Sequence, residues 1–335
     1  MNVIRVCFLG TPDFAATHLD ALKQDARFHV VGVVTQPDRP AGRKMQLTPS
    51  SVKKRALEYG FPVLTPENLR KQPDVVEQIF AWQADVAVVV AFGQILAESF
   101  LNHFKFGAVN IHGSLLPKWR GAAPIQRSIE AGDSESGVCL QRMVKKLDAG
   151  PIIGERRVRL DQQITATDLY EQLAKLGCDL LRTDFVEYIE GKRVPVEQNE
   201  ALVTLAAKIE KEESRLDFNL PAQRLHNKIR AFTMGPGTYC DFQGKRLKIH
   251  RSEVECLTSA VEDLTRGAVE PSTTAHAALP SQTAGRVFKI TEQKLILTTG
   301  HGLLSLLEVQ PESKARMSIQ DFLKSIKLKE GDLFV

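Results

Sequence analysis

The sequence lacks the features that mark secreted, membrane-spanning or disulfide-stabilised proteins. Its five cysteines are odd in number and scattered, and no two of them form a Cys-x-x-Cys pair. Its longest apolar run, Val86–Val90 with its neighbours, is far shorter than the roughly 20 residues that a membrane helix needs. The N-terminus has no basic segment followed by a long apolar stretch, so no signal peptide is predicted. These absences predict a cytoplasmic protein with reduced thiols and no membrane partner.

The sequence also lacks a dinucleotide-binding fingerprint and the spacing of zinc ligands, which argues against two classes of enzyme site. The Gly-x-Gly-x-x-Gly fingerprint of dinucleotide sites is missing after the first predicted strand, because Pro12 and Ala15 stand where glycines belong. Those glycines let a pyrophosphate approach the backbone, so their absence argues against a nicotinamide-dependent dehydrogenase. The eight histidines show no close spacing with Cys or Asp of the kind that binds zinc, and no metal is expected.

What the sequence does contain is the composition of an ordinary globular protein. Its hydrophobic fraction is 43% and its charged fraction is 25%. At 335 residues the chain is long enough for two domains and for at least one well-buried core. The net charge of +4 does not by itself indicate a polyanionic partner, so the location of the basic residues matters more than their sum.

Apolar runs of strand length alternate with helical patterns through the first half of the chain. Strands that are apolar on both faces and separated by helices favour a doubly wound, Rossmann-like, mostly parallel sheet. The predicted strands are Ile4–Leu9, His29–Val34, Pro62–Leu64, Asp85–Val90 and Ala108–His112. The predicted helices are Phe14–Gln24, Ser50–Tyr59, Pro73–Trp82 and Thr167–Glu190.

The pattern changes after Gly191, where the periodicity becomes weak. A short helix around Ala222–Ala231 is followed by five short strand candidates, a pattern typical of a small OB-like β-barrel. These candidates are Gly237–Phe242, Arg246–Ser252, Gly285–Thr291, Lys294–Thr298 and Leu303–Gln310. We therefore expect a catalytic domain over residues 1–190, a linker over 191–210 and an OB-like domain over 211–335. Glu270–Ala284, rich in Ser, Thr, Ala and Pro, is predicted to be a long loop.

The strongest candidate site begins where the strand Ala108–His112 ends. Period-two alternation places Asn110 and His112 on one face of that strand and Ile111 on the other. A polar pair at the carboxyl end of a strand is how open α/β sheets build ligand crevices. Taken alone, a histidine at a strand end is more often a hydrogen-bonded structural residue. Asp148, in the string Leu-Asp-Ala-Gly-Pro-Ile, either stabilises a Gly-Pro turn or supplies an acid, and both roles are compatible.

These strings resemble the signature of the folate-dependent formyltransferases. The match runs through Asn110-Ile-His-Gly-Ser-Leu-Leu-Pro117 and through Asp148-Ala-Gly-Pro-Ile152, and the wider resemblance covers essentially the whole chain. It implies that Asn110, His112 and Asp148 are the catalytic residues and that 10-formyltetrahydrofolate is the formyl donor. Two stretches depart from the family pattern: Thr233–Gly237, and the long Glu270–Ala284 loop.

The chemistry of these three side chains suits formyl transfer to an amine. Negative charge develops on the carbonyl oxygen as the amine attacks, and N–H donors on Asn110 and His112 can hold it. Each well-placed donor of this kind contributes about 3–4 kcal/mol. The Asp148 carboxylate can orient His112 and help to move a proton through water. The mechanism requires neither a covalent nucleophile nor a metal.

The resemblance also implies which residues contact the folate. One segment is the loop after the polar pair, formed by Ser114, Leu115, Leu116 and Pro117. The other follows the strand Asp85–Val90, where the backbone of Gln94, Ile95 and Leu96 is expected to hydrogen-bond the pterin. A strand-to-loop transition ending at Gly93 would account for the second segment equally simply.

The acceptor is indicated by basic residues outside the catalytic strings. Six basic residues and no acid lie between Arg39 and Arg55, and three of them, Arg39, Arg43 and Lys44, belong to a turn-rich loop. That loop resembles the tRNA-binding loop of the family members that formylate methionyl-tRNA, and phosphate contacts suit its charge. Initiator methionyl-tRNA is therefore the expected partner, with no obligate protein partner.

A basic cluster in the OB-like domain supports a nucleic-acid partner. Lys245, Arg246, Lys248 and Arg251 cluster on one predicted strand, a surface that can bind RNA, and the first three are the expected tRNA contacts. A solvated edge strand would explain them as well. The alternatives to formylation of methionyl-tRNA are a formyltransferase acting on an amino sugar nucleotide and a non-catalytic RNA-binding protein.

Overall fold

The computed structural model describes residues 3–41, 45–255 and 283–335. Over these residues the chain forms two compact units. The first comprises Met1–Ile125, Ser134–Leu160 and Asp168–Ala207, and the second comprises Gln126–Asp133, Asp161–Thr167 and Lys208–Val335. The predicted loop Glu270–Ala284 falls almost entirely outside the described residues.

The first unit is built on a seven-stranded sheet. Its strands are β1 (Ile4–Gly10), β2 (Phe28–Val34), β5 (Val63–Leu64), β6 (Val86–Val90), β7 (Ala108–His112), β9 (Glu135–Arg142) and β10 (Ile152–Arg159). They are arranged in the order β10-β9-β7-β6-β1-β2-β5. The five strands β7, β6, β1, β2 and β5 are parallel to one another, whereas β9 pairs in antiparallel fashion with both β7 and β10. The prediction of a doubly wound, mostly parallel sheet is confirmed.

Helices and short ladders complete this part of the chain. The helices are α1 (Asp13–Gln24), α2 (Ser51–Glu58), α3 (Pro73–Ala81), α4 (Glu98–Leu101), α5 (Pro124–Ala131), α6 (Ala166–Arg182) and α7 (Asp184–Ile189). Two ladders of short strands pair β3 (Arg39–Ala41) with β4 (Gln46–Thr48) and β8 (Arg120–Gly121) with β11 (Leu205–Ala206). Every residue of β6 is buried, as a central strand covered on both faces requires.

The prediction of one long helix over Thr167–Glu190 is wrong, because the helix breaks at Thr183. Thr183 has φ −118° and ψ −85°, outside the helical region, and α7 begins at the next residue. That residue is Asp184, whose carboxylate is 3% exposed and pairs with Arg156 and Arg193. Because a buried carboxylate needs such partners, their positions set where the helix must turn, and helical periodicity does not encode them.

Residues 191–207, most of the predicted linker, run along the first unit and bond to it. Val196 forms an antiparallel bridge with Ile152 of β10. Leu205 and Ala206 form β11, which pairs with β8. The domain boundaries expected from the sequence stay a prediction.

The second unit contains an antiparallel sheet and two helices that follow residue 208. The strands are β12 (Thr238–Phe242), β13 (Lys245–Glu255), β14 (Val287–Ile290), β15 (Leu295–Thr298), β16 (Leu303–Pro311) and β17 (Met317–Ser318), and the helices are α8 (Ala222–Ala231) and α9 (Ile319–Ser325). Five strands follow the order β12-β13-β16-β15-β14, and β17 pairs with β16. The core beneath this sheet includes Leu225, Ile249, Leu304 and Phe334.

The C-terminal segment joins the two edges of this sheet. Val335 exchanges backbone hydrogen bonds with Asp241 of β12. Phe334 donates to the carbonyl of Gly285, and Val287 of β14 donates to the carbonyl of Asp332. Bridging β12 and β14 in this way closes the strands into a small barrel, consistent with the predicted OB-like architecture. Among the described residues, no helix has the length and apolarity that crossing a membrane requires.

Candidate active site

The predicted polar pair faces the same side of the sheet as two residues of β9. Asn110 and His112 of β7 are paired with Gln141 and Cys139 across the antiparallel ladder. Directly opposed residues share a face, so these four side chains lie together and Ile111 points to the other side. Asn110 is 8% exposed and His112 is 7% exposed. Nearly buried polar groups at the carboxyl end of a parallel strand suit a ligand crevice.

The ring of His112 is held from two directions. Its Nε2 lies 2.9 Å from the carbonyl oxygen of Trp119, and because a carbonyl can only accept, Nε2 carries the hydrogen. Its Nδ1 lies 3.7 Å from Oδ2 of Asp148. Trp119 has φ 63°, a left-handed conformation that few non-glycine residues adopt. In this structure the Nε2 hydrogen is thus bonded to the loop, and Nδ1 is the nitrogen that faces the acid.

The Asp148 carboxylate is anchored by both of its oxygens. Oδ2 accepts a hydrogen bond from the backbone N–H of Gly121 at 2.9 Å, and Oδ1 accepts one from Nε2 of Gln141 at 3.2 Å. Acceptance by both oxygens matches the hydrogen-bonding capacity of an ionised carboxylate. Gly150 makes the turn possible, because a Cβ there would lie 1.7 Å from the carbonyl oxygen of Arg142. Asp148 itself has φ 47°.

Asn110 differs from its neighbours in having a side chain without a protein partner. No hydrogen bond joins its amide to another described residue, although only 8% of the residue is exposed. The amide is not among the fully enclosed, unpartnered polar atoms of the described residues, so solvent or a ligand can reach it. A ligand that brings an acceptor oxygen to this point would satisfy the amide.

The side chains of the Ser114–Pro117 loop build the loop itself. Ser114 is fully buried, and its Oγ donates to the carbonyl of Lys118 at 2.7 Å. The N–H of Leu116 donates to the Cys139 Sγ at 3.4 Å. Leu115 packs where Gly137 leaves room, since a Cβ on Gly137 would lie 2.4 Å from its Cδ2. Contact of Ser114, Leu115, Leu116 and Pro117 with folate stays a prediction.

The second predicted folate segment lies beside the polar pair, because β6 and β7 are neighbours. The Gln94 side chain is tied to a neighbouring loop: its Oε1 accepts from the Leu69 N–H and its Nε2 donates to the Pro66 carbonyl, both at 2.8 Å. Ile95 is 72% exposed, whereas Leu96 is buried. With the Gln94 side chain so engaged, a pterin contact would fall to the backbone, and that contact also stays a prediction.

The basic loop is described on both sides of a gap. Arg39 begins β3 and lies 3.5 Å from Glu67, with both side chains largely exposed. Such an exposed ion pair is weak, so Arg39 can exchange it for a phosphate contact. Arg43 and Lys44, the other two predicted tRNA contacts of this loop, lie outside the described residues.

Two other basic residues of this stretch have partners in the protein. Both oxygens of Asp38 accept hydrogen bonds from Nζ of Lys53, at 2.8 and 2.9 Å. Arg55 pairs with Asp20 and Glu58. These two cations therefore secure the base of the loop and the helix α2, and the charge available to a polyanion is smaller than the count of six suggests.

The basic cluster of the second unit lies on β13. Lys245, Arg246 and Lys248 are all exposed. The Arg246 guanidinium stacks over the ring of Tyr239, 3.9 Å from its centroid, and Lys248 is paired with Tyr239 across the ladder. An arginine beside an aromatic ring on an exposed strand can hold a phosphate backbone and stack on a base.

Sequence reasoning missed the side chains that support Asp148. Gln141 contacts the carboxylate, Gln198 contacts the backbone around it, and Arg120 lies behind Gln198. Gln141 carried a usable signal, since it directly follows the apolar run 138–140 and lies two positions after Cys139, on the same face of the strand. Gln198 lies in a stretch without periodicity, and nothing in the local sequence links it to Asp148.

The described thiols are enclosed in the core and take no part in the proposed chemistry. Cys7, Cys139, Cys178 and Cys240 are free and buried. Burial raises the pKa of the Cys139 thiol to about 12, so it is protonated at neutral pH and cannot act as a nucleophile. Among the described residues, no group of three or more His, Cys, Asp or Glu is arranged to hold a metal ion.

The fold is that of a doubly wound α/β unit with a polar crevice at the carboxyl ends of its strands, accompanied by a small antiparallel barrel. Comparison with known proteins gives this architecture a family. The model of the formyl transferase family matches residues 4–184, and that of the formyl transferase C-terminal domain matches residues 208–327. The chain belongs to the formyl transferase family.

Individual relatives agree with this assignment. A methionyl-tRNA formyltransferase of Bdellovibrio bacteriovorus is 52% identical over 332 residues, which are 99% of each chain. An N-formyltransferase from Helicobacter canadensis, solved with folinic acid and dTDP-3-aminofucose, superposes with a TM-score of 0.62 at 18% identity, covering 92% of this chain and 99% of that one. HypX from Aquifex aeolicus, solved with tetrahydrofolic acid, gives 0.59 at 14% identity over 100% of this chain and 51% of its own. These two structures share the fold.

Proposed function

We propose that this protein transfers the formyl group of 10-formyltetrahydrofolate to the α-amino group of methionine on initiator tRNA. The observation that carries the proposal is the site at the end of β7, where Asn110, His112 and Asp148 converge. The acceptor is supported by the methionyl-tRNA formyltransferase that matches this chain from end to end at 52% identity.

In the reaction the amine nitrogen bonds to the formyl carbon and the bond from that carbon to N10 of the folate breaks. The amine loses one proton and N10 gains one, so a proton must be moved across the site. The Asn110 amide, which has no protein partner, is placed to donate to the formyl oxygen as negative charge grows on it. A donor of this kind contributes about 3–4 kcal/mol to the lowering of the barrier.

His112 and Asp148 supply the proton-transfer part of the site. Nδ1 of His112 faces Oδ2 of Asp148 at 3.7 Å, which allows charge pairing when the ring is protonated. That separation is too long for a direct hydrogen bond, and a small shift or one water molecule closes it. The protonated ring would stabilise the developing oxyanion, and the carboxylate would hold that ring in place.

The folate is proposed to bind along the two loops that follow β6 and β7. The exposed Ile95 offers an apolar surface beside these loops, as a flat heteroaromatic ring requires. Ser114 and the buried Leu116 contribute by fixing the shape of the loop. Backbone groups of Gln94, Ile95 and Leu96 remain the proposed partners of the pterin.

The tRNA is proposed to contact both units through basic residues. In the first unit these are Arg39, Arg43 and Lys44, and in the second they are Lys245, Arg246 and Lys248. An enzyme that formylates charged tRNA acts where translation takes place, so we infer a cytoplasmic location. We also propose that residues 1–190 and 211–335 are the catalytic and tRNA-binding domains, and that no obligate protein partner is needed.

The direct test is formyl transfer from 10-formyltetrahydrofolate to three candidate acceptors: methionyl-tRNA, uncharged tRNA and a dTDP-amino sugar. We expect transfer to methionyl-tRNA alone. Transfer to the sugar nucleotide would favour a formyltransferase that acts on amino sugar nucleotides. Binding of tRNA without any transfer would favour a non-catalytic RNA-binding protein. His112→Ala should lower the rate by more than about 100-fold, whereas the exposed His29→Ala control should not.

The basic loop is tested separately. Arg43→Ala is expected to raise the KM for methionyl-tRNA and to leave the affinity for folate unchanged, because a phosphate contact acts on the polyanion only. Equal losses for both substrates would contradict the assignment of this loop.

A further inference from the structure

A buried arginine stands at the start of a line of side chains that leads to Asp148. Arg120 is 3% exposed, and its Nε and Nη2 donate to Oε1 of Gln198 at 3.0 and 2.7 Å. A guanidinium has donors only, so the amide oxygen of Gln198 must face it and the amide nitrogen must face away. The orientation of this amide therefore follows from chemistry.

The nitrogen of Gln198 reaches three oxygens on the far side. It donates to the carbonyls of Asp148 and Gly150, at 2.9 and 2.7 Å, and lies 3.4 Å from Oε1 of Gln141. With its oxygen turned towards Gln198, Gln141 presents its own nitrogen to Oδ1 of Asp148 at 3.2 Å. Arg120 thus sets the direction of the Gln198 amide. The two hydrogens of that amide nitrogen serve the two short bonds, so the 3.4 Å contact with Gln141 is a weaker, shared one that favours the same orientation of Gln141.

We propose that Gln141 is a positioning residue for the formyl transfer described above, on which this inference rests. In the amide pair, as we call Gln141 and Gln198, Gln141 holds Oδ1 of Asp148 and Gln198 holds the backbone carbonyls of Asp148 and Gly150, so that Oδ2 is left facing Nδ1 of His112. Gln141 is 1% exposed and lies directly opposite Asn110 in the β7–β9 ladder. It therefore aligns the acid from the floor of the site without touching the reacting atoms.

Two hydrogen bonds on opposite oxygens restrict the carboxylate more than either alone. The Gly121 N–H holds Oδ2, and the Gln141 amide holds Oδ1. Losing the second leaves the carboxylate free to turn about its Cβ–Cγ bond. Misplacement of a catalytic group by about 1 Å lowers a rate by about 100-fold.

The charged groups around this line are few, and the outermost does not titrate near neutral pH. Hydrogen bonds from Arg120 and Lys146 lower the pKa of Glu200 to about 2, so Glu200 stays ionised in any assay above pH 4. An acid introduced at position 141 would instead lie directly against a carboxylate, that of Asp148, where Gln141 now donates a hydrogen bond.

The test compares two substitutions of similar size. Gln141→Met removes both hydrogen bonds, and we expect kcat to fall about 10- to 100-fold while the KM values for folate and methionyl-tRNA change less than about 2-fold. Gln141→Glu keeps both bonds only while the introduced carboxyl is protonated. Two adjacent carboxyls share one proton at low pH and repel each other when both are ionised. The rate of Gln141→Glu relative to wild type should therefore fall about 10-fold or more between about pH 5.5 and pH 8.

The control is Leu140→Val on the same strand, which is fully buried on the opposite face and trims the core without touching the amide pair. It should lower stability and leave both kcat and the pH profile unchanged. The proposal is wrong if Gln141→Met retains wild-type kcat, or if the relative rate of Gln141→Glu does not depend on pH. The same is true if Leu140→Val reproduces either effect.

A second measurement keeps this inference separate from the proposed reaction. NMR of the Gln141→Glu variant, labelled with 13C at its carboxyl groups, follows the titration of the introduced carboxyl. Its pKa should lie well above the ordinary glutamate value of about 4.3. Adding Asp148→Asn to this variant should return that pKa towards the ordinary value. A wild-type protein that transfers no formyl group would refute the proposed function alone. A normal carboxyl titration would refute the amide pair as described.

Discussion

At the residue scale, the first unit holds a histidine that the proposed reaction does not use. His18 is fully buried, its Nδ1 lies 2.6 Å from the carbonyl oxygen of Phe14, and its Nε2 has no hydrogen-bond partner. Burial lowers the pKa of His18 to about 4 from the ordinary 6.5, and the bond to Phe14 only partly offsets this. The folded protein therefore holds His18 neutral.

This residue should make stability fall in mild acid. In the unfolded chain His18 takes up a proton near pH 6.5, but in the folded protein it does so only near pH 4. Between these values the unfolded chain binds more protons, so the free energy of unfolding decreases as the pH falls, by about 3 kcal/mol in all. Urea unfolding at pH 7 and pH 4.5 measures this decrease in the free energy of unfolding. In His18→Gln the decrease between the two pH values should be smaller. Parallel curves for the two proteins would show that His18 does not contribute.

Asn110 gives the second prediction at this scale. Asn110→Ala should lower kcat by about 100- to 1,000-fold, because it removes the donor to the developing oxyanion. The free energy of unfolding should change by less than about 1 kcal/mol, since no hydrogen bond to the protein is lost. Asn102→Ala, at an exposed position just after α4, is the matched control. A large loss of stability with normal kcat would reassign Asn110 to a structural role.

At the element scale, α1 and α6 meet at a point where one helix has no side chain. A Cβ on Gly177 of α6 would lie 2.2 Å from Nε2 of His18 and 3.1 Å from Cγ2 of Ile111. Ile111 is the β7 residue between the two catalytic candidates, on the opposite face. The helix therefore approaches the back of the catalytic strand only because position 177 is glycine.

Gly177→Ala is expected to destabilise the protein by about 1–3 kcal/mol, the usual range for overpacking a core. This outcome opposes helix propensity, which favours alanine by about 1 kcal/mol. Chemical unfolding measures the change. In a His18→Ala background the same substitution should become neutral or stabilising, because the clashing ring is gone. A loss of stability that persists without the ring would place the clash elsewhere.

At the scale of the whole molecule, the small net charge of +4 conceals separate basic surfaces. Lys245, Arg246 and Lys248 are exposed on β13, and Arg39 is exposed beside the basic loop. Each phosphate contact releases about one counterion, so tRNA affinity should fall linearly with the logarithm of the salt concentration. Folate affinity should depend on salt far less.

Arg246→Ala should therefore weaken tRNA binding and reduce the slope of that salt dependence by about 1. Binding titrations of methionyl-tRNA at several salt concentrations measure the slope. Lys327→Ala, an exposed lysine away from β13, should leave it unchanged. An unaltered slope for Arg246→Ala would mean that the stack on Tyr239 keeps this arginine away from the phosphates.

The elements that the sequence predicts correctly are those encoded by patterns among neighbouring residues. The strand that contains Asn110 and His112, and the helices before and after β2, were all predictable because buried strands and amphipathic helices leave patterns in consecutive residues. The long helix over Thr167–Glu190 was predicted wrongly because its break depends on Asp184 meeting Arg156 and Arg193. Both partners lie outside the helical segment, Arg156 on β10 and Arg193 after α7, so helical periodicity could not include them.

By itself, the sequence determined the mostly parallel sheet, the polar pair at the end of β7 and the Asp148–Gly150 turn, because each follows from the chemistry of neighbouring residues. Only the tertiary structure decided which side chains meet there. The β7–β9 register places Gln141 opposite Asn110, and the segment returning to β8 brings Gln198 behind Asp148. Both depend on pairing between residues far apart in the chain. Such pairing is selected because it satisfies buried polar groups across the whole unit, and patterns among neighbouring residues do not encode it.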